Sequence, residues 1–115
     1  MKNNYKIGII GLGYVGLPLA VEFGKKYNTI AYDINKNRIN ELLKGLDSTG
    51  EITKRNLQSS IKLSLTNNLK NLSKCNIYII SVPTPINKKN EPDLSILLSA
   101  TESIASIIKK KDIVI

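Results

Sequence analysis

Histidine is absent from this sequence. That removes a Ser-His-Asp triad and any imidazole-based metal site at once, and no metal is expected. There is one cysteine, Cys75. No disulfide can close within the chain, which suits a reducing cytosol and sets the expectation of a cytoplasmic protein. Arginine is scarce: Arg38 and Arg55 are the only ones. The net charge of +8 therefore comes mainly from lysines, scattered along the chain. No stripe of base-stacking aromatics accompanies them, so neither nucleic acid nor a membrane surface is the expected partner. The one tight run, Lys109-Lys110-Lys111, falls at the end of a predicted helix, where cations favour the dipole. Long uninterrupted apolar stretches are missing too. Lys2 and Lys6 precede an apolar segment in the manner of a signal peptide. Gly8, Gly11, Gly13, Gly16 and Pro18 punctuate that segment, and cleavage would remove the most informative motif in the chain. Export and a membrane span are both rejected.

What is present fits one domain of 115 residues, with a hydrophobic content of 42%, enough for a core. The organising stretch is Lys6-Ile7-Gly8-Ile9-Ile10-Gly11-Leu12-Gly13-Tyr14-Val15-Gly16. An apolar run ends in G-x-G-x-x-G, and each glycine has its own reason. Gly11 permits a tight turn out of a strand. Gly13 lets a pyrophosphate approach the backbone. Gly16 lets the next helix pack closely. The amides of Tyr14 and Val15 open that helix and aim its positive end at the phosphates. By itself the pattern is loose, and a glycine-rich turn with no ligand would also satisfy it. Its context is specific: a β-like run before it, a helical pattern after it, and an acidic residue, Asp33, ending the next strand. Asp33 lies about 20 positions beyond the first glycine, the spacing of a carboxylate that binds the adenosine ribose. A 2′-phosphate there would set like charges together, so NAD is favoured over NADP.

Taken in order, the chain alternates. Tyr5 to Ile10 reads as a buried parallel strand. A helix over Tyr14 to Lys26 carries Val15, Leu19 and Phe23, with Ala20, as its buried stripe. Thr29 to Tyr32 is a strand. A helix over Asn35 to Lys44 turns Ile39, Leu42 and Leu43 inward and stops at Gly45. Asp47 to Glu51 is turn chemistry, and a short helix follows over Thr53 to Gln58. Ile61 to Leu65 is the third strand, Asn67 to Lys74 a short helix, and Asn76 to Val82 the fourth strand. Val82-Pro83-Thr84-Pro85 makes a stiff extended exit. Beyond the polar loop to Pro92, Asp93 caps a helix that runs to about Lys110, with Leu97, Thr101, Ile104, Ala105 and Ile108 on one face. Asp112 to Ile115 begins a fifth strand, inside which the pattern stops. The expected fold is α/β: a doubly wound parallel (Rossmann) sheet in the order 3-2-1-4-5, truncated in strand five, with the cofactor across the carboxyl ends of strands one and four.

The combination Gly11-Leu12-Gly13-Tyr14-Val15-Gly16-Leu17-Pro18, then Tyr32-Asp33-Ile34-Asn35 with Arg38-Ile39, then Val82-Pro83-Thr84-Pro85 and Asp93-Leu94-Ser95, resembles the N-terminal NAD-binding domain of the UDP-glucose/GDP-mannose dehydrogenase family. The resemblance covers essentially the whole chain. Gly45-Leu46-Asp47-Ser48-Thr49-Gly50-Glu51-Ile52 is more similar to the branch acting on UDP-N-acetylhexosamines for capsular and O-antigen polysaccharides than to the UDP-glucose enzymes. What the resemblance implies is an NAD-dependent, two-step oxidation at C6 of a UDP-sugar. A cysteine thiol captures the aldehyde, and water hydrolyses the resulting thioester to the uronate. It also implies that Arg38 lies along the adenine, that Thr84 offers a hydroxyl near the nicotinamide and that Pro83 shapes that wall. As a bare arginine, Arg38 is a surface charge; as a bare proline, Pro83 is a strand terminator.

The family's catalytic cysteine, lysine and asparagine belong to regions beyond this stretch. No catalytic residue is therefore expected among residues 1–115, which read as the cofactor domain of a larger enzyme, homo-oligomeric at full length. The UDP-sugar would be held by central and C-terminal domains. Cys75 precedes strand four and reads as a small buried residue. Two other readings compete: a β-hydroxyacid-type dehydrogenase, against which the Pro-Thr-Pro exit argues, and a non-catalytic nucleotide-sensing module, against which an unfinished sheet argues.

Overall fold

A computed structural model describes residues 4–115, so Lys2 lies outside the described residues. The elements are β1 (Lys6–Ile10), α1 (Gly16–Gly24), β2 (Asn28–Tyr32), α2 (Lys36–Leu43), α3 (Lys54–Ser59), β3 (Leu63–Thr66), a 3-10 helix (Leu69–Lys74), β4 (Ile77–Ile80), α4 (Ser95–Ala105) and β5 (Ile113–Val114). All strand pairings are parallel, and the five-stranded order is β3-β2-β1-β4-β5, as the alternation predicts. The order reverses at β1, which pairs with β2 on one side and β4 on the other, and the crevice opens there.

The two faces of β1 build two cores. Ile7 and Ile9 join Leu12, Leu17, Ala20, Val21, Ala31, Ile39 and Leu42 beneath α1 and α2. Ile10 joins Leu72, Cys75, Tyr78 and Ile104 beneath the 3-10 helix and α4. This is the period-two alternation of a strand covered on both sides.

The helix faces differ from the expected stripes. In α1 the buried residues are Gly16, Leu17, Ala20, Val21 and Gly24, whereas Val15 is 64% exposed at the N-cap position. A helix lying this close to a sheet presents its small residues to it, and the bulkier Leu19 and Phe23 sit at the flanks. In α2, Ile39 and Leu42 turn inward as expected, but Leu43 is exposed and Arg38 takes the remaining buried place. The α2 terminus is as read: Gly45 has φ +81°. Leu46 N–H donates to the Glu41 carbonyl and Gly45 N–H to the Leu42 carbonyl, a Schellman closure.

In α4 only Ile104 is fully buried, with Ala100 and Ile107 packed beside it; Thr101, Ala105 and Ile108 are exposed. The helix ends at Ala105, so Ile108 falls outside it, as does Lys109-Lys110-Lys111. Lys109 instead ties the following turn down, its Nζ donating to the carbonyls of Ser73 (2.6 Å) and Cys75 (3.2 Å). Leu94 occupies the N-cap position of α4, and Asp93, one residue earlier, accepts from Ser95 N–H at 2.9 Å. That bond lowers the Asp93 pKa. Thr53, not a member of α3, caps it by accepting from Asn56 N–H.

Candidate functional site

The main chain leaves β1 at Gly11, whose φ of +99° is open to glycine and strained for other residues. A Cβ there would also stand 2.8 Å from the Ser81 carbonyl oxygen. At Gly16 a Cβ would lie 1.7 Å from the Gly11 carbonyl oxygen and 2.5 Å from Ser81 Oγ. Gly16 is thus required less by helix-on-sheet packing than by the turn closing on itself. At Gly13 a Cβ would meet nothing within 4 Å. No protein neighbour demands that glycine, and its open face is the cradle a pyrophosphate needs. Helix α1 has no side-chain cap and no acidic residue in its first turn, so its positive end is left to an anion. These features fit a dinucleotide.

A crevice of about 410 Å³ opens beside this turn. It brings together Gly11, Gly13, Asp33, Arg38 and Pro83 from the expected set, with Val82 and the α4 residues Ser99 and Ser103. Gly16 is buried behind it, and Tyr14 (67% exposed) and Val15 stand outside its lining. Thr84 is exposed just past Pro83 and does not line it.

Asp33 ends β2 with both oxygens aimed at main chain: Oδ2 accepts from Leu12 N–H and Oδ1 from Asn35 N–H, each at 2.9 Å. Lone pairs remain for ribose hydroxyls. Asn35 in turn caps α2, accepting from Asn37 and Arg38 N–H groups. Arg38 lines the crevice but is no loose surface charge: its side chain is 9% exposed. Its Nε donates to the Leu12 carbonyl at 2.7 Å, and Nη1 to Glu41 Oε1 at 2.6 Å and Asp47 Oδ1 at 2.9 Å. Burial lowers the guanidinium's pKa, but the bonds to Glu41 and Asp47 outweigh this and raise it overall. Burial likewise pushes the Asp47 carboxyl up, while bonds from Thr49, Ile52 and Arg38 hold it down at about 2.

Sequence reading missed two supports of this turn. The Ser81 hydroxyl donates to the Gly11 carbonyl at 2.9 Å, and its N–H donates to the Ile10 carbonyl. Nothing in a strand-end serine announces that. Asp47 was visible only as a turn former. Cys75, as expected, is fully buried at the amino end of β4. Burial raises its thiol to about 11 despite Lys109 and Lys6 nearby. Among the described residues no group of acidic, cysteine or histidine side chains is placed to hold a metal. No helix there is long and apolar enough to cross a membrane.

Comparison with known proteins matches this geometry. Residues 5–115 match the model of the UDP-glucose/GDP-mannose dehydrogenase family, NAD binding domain. The chain is 54% identical over 110 residues to the UDP-N-acetyl-D-glucosamine 6-dehydrogenase of Pseudomonas aeruginosa, covering 96% of this chain and 26% of that protein. It is 46% identical over 112 residues to protein CapL of Staphylococcus aureus, covering 97% of this chain and 26% of that protein. The structure of the UDP-D-ManNAc dehydrogenase from Pyrococcus horikoshii superposes with a TM-score of 0.85 at 33% identity, over 95% of this chain and 27% of that one. The chain spans about a quarter of the length of these relatives. With a fingerprint turn whose middle glycine is open, an acidic residue ending β2 and a family match over nearly every residue, the chain belongs to the UDP-glucose/GDP-mannose dehydrogenase family, and its cofactor is NAD.

Proposed function

We propose that residues 1–115 form the N-terminal cofactor domain of a longer, cytoplasmic nucleotide-sugar 6-dehydrogenase. Its substrate is a UDP-N-acetylhexosamine, oxidised at C6 to the uronate for a surface polysaccharide. The observation that carries the cofactor half of this reading is the open face of Gly13 beside Asp33 in one crevice. The identity to an enzyme named for UDP-N-acetyl-D-glucosamine supports the substrate half.

In this reading the turn from Gly11 to Gly16 and the uncapped end of α1 hold the pyrophosphate. Asp33 accepts from the adenosine ribose hydroxyls and disfavours a 2′-phosphate. Val82 and Pro83 wall the crevice, and Thr84, exposed just past Pro83 and outside that lining, is assigned to the nicotinamide end on the family resemblance alone. Bound NAD supplies the hydride acceptor for both oxidation steps. This stretch supplies no thiol to trap the aldehyde. Cys75 precedes β4 and Thr84 follows it, nine residues on, and extended chain rising ~3.3 Å per residue spans up to roughly 30 Å over that length. A nucleophile must come within about 3–3.5 Å of the reacting carbon.

The test is NADH formation by the full-length enzyme against a panel of UDP-sugars. Turnover of a UDP-N-acetylhexosamine well above UDP-glucose is expected. Turnover of UDP-glucose alone would refute the substrate assignment, and no turnover of any UDP-sugar would refute the enzyme class.

A further inference from the structure

Asp47 lies on the turn after α2, outside the crevice lining, yet its side chain is 1% exposed. Its carboxylate is bonded from several sides. Oδ1 accepts from Thr49 N–H (3.0 Å), Thr49 Oγ1 (2.6 Å) and Arg38 Nη1 (2.9 Å). Oδ2 accepts from the N–H groups of Glu51 and Ile52, both at 2.9 Å. A carboxylate held in this way has one position, and so does the guanidinium it holds. Arg38 passes that constraint on, because its Nε donates to the Leu12 carbonyl. Leu12 sits between Gly11 and Gly13, and its own N–H donates to Asp33. A chain of charge-assisted bonds thus runs Asp47–Arg38–Leu12–Asp33, from a turn remote from the ligand to the carboxylate facing the ribose.

The arrangement is costly as packing alone. Arg38 Nη2 is buried with no partner, and an unmet buried donor is unfavourable. Buried ion pairs often give no more stability than apolar residues of similar volume. What this one provides is a fixed position for the Leu12 main chain.

Building on the reading of the crevice as the NAD site, we propose that Asp47 is a positioning residue for cofactor binding. By anchoring Arg38 it fixes the main chain at Leu12, so that the open face of Gly13 and the Asp33 carboxylate meet pyrophosphate and ribose in one arrangement. Asp47 touches no cofactor atom itself.

The test uses the full-length enzyme, with NADH titrations and steady-state kinetics well below the melting temperature of every variant. Asp47→Ala should raise the NADH Kd and the KM for NAD about tenfold, as loss of one charged support of a binding turn does. The KM for the UDP-sugar should stay within about twofold of the wild type by the same reasoning. In an Arg38→Ala background the same substitution should add nothing further. Thr53→Ala, which removes the cap of neighbouring α3 without touching Arg38, should lower the melting temperature but leave the NADH Kd alone. Should Asp47→Ala fail to fold, Asp47→Asn, which keeps the shape and loses the charge, is read in the same way. A lowered melting temperature with unchanged NADH Kd would overturn the proposal, and so would losses that add in the double variant. Wild-type enzyme that binds no NADH would instead overturn the reading of the crevice, and this inference with it.

Discussion

A methyl group added at Gly16 would lie 1.7 Å from the Gly11 carbonyl oxygen, a contact that backbone atoms cannot relieve by rotating a side chain. Gly16→Ala should therefore destabilise the fold by about 3 kcal/mol, at the upper end of the cost of overpacking, and calorimetric melting measures it. Asp33 accepts from the Leu12 and Asn35 main chain on the protein side, and in the proposed reading its remaining lone pairs meet the ribose. Asp33→Asn leaves one oxygen where two accepted. NAD affinity should fall by on the order of 1–3 kcal/mol, and titration calorimetry showing unchanged affinity would remove Asp33 from the site. Cys75 gives a chemical readout of the core, since burial holds its thiol at about 11. The sign follows: a folded-state pKa above the unfolded value stabilises at neutral pH, and that contribution disappears as pH rises towards 11. A thiol reagent near neutral pH should be inert towards the native protein and react fully once denaturant is added.

Among the elements, the turn that carries Asp47 makes the clearest pH prediction. Its carboxyl sits at about 2, below the ordinary 3.8. A depressed pKa contributes stability above the unfolded value, and the contribution is lost as pH falls through the folded one. It amounts to about 2 kcal/mol at neutral pH. Acid melts should show stability falling between roughly pH 4 and pH 2, and Asp47→Asn should flatten that limb while lowering stability at neutral pH. Equal slopes in the two proteins would mean that another carboxylate governs it. The strands and their order were legible in the sequence because parallel strands covered on both faces read as apolar runs, and Gly11 and Asp33 mark the ends of two of them. Helix faces were less legible. Apolar spacing chose Val15, Leu19 and Phe23 with Ala20 for α1; Ala20 is buried, but close approach to the sheet places Leu17, Val21 and Gly24 beside it in place of the other three. In α2 a buried arginine stands in the apolar stripe, which no hydrophobic period can reveal. Asp47 was legible as a turn residue only, because its partner Arg38 is reached through space across the α2 terminus.

At the scale of the whole molecule, the crevice and the thiol lie at opposite ends of one sheet. The crevice opens where β1, β2 and β4 finish, and Cys75 lies where β4 begins. Two expectations follow. On the proposed function, residues 1–115 alone should yield no NADH from any UDP-sugar, and in the full-length protein Cys75→Ser should leave the second oxidation nearly untouched. A burst of NADH followed by stalled aldehyde in that variant would make Cys75 the nucleophile. The central claim is that the cofactor seats against the open face of Gly13, where a side chain would meet no protein atom. The most direct measurement is an NADH fluorescence titration of Gly13→Val beside its circular dichroism spectrum. The account requires a wild-type spectrum with binding abolished, because the valine fills space that only the pyrophosphate uses. NADH binding retained at wild-type affinity would contradict it and put the cofactor elsewhere.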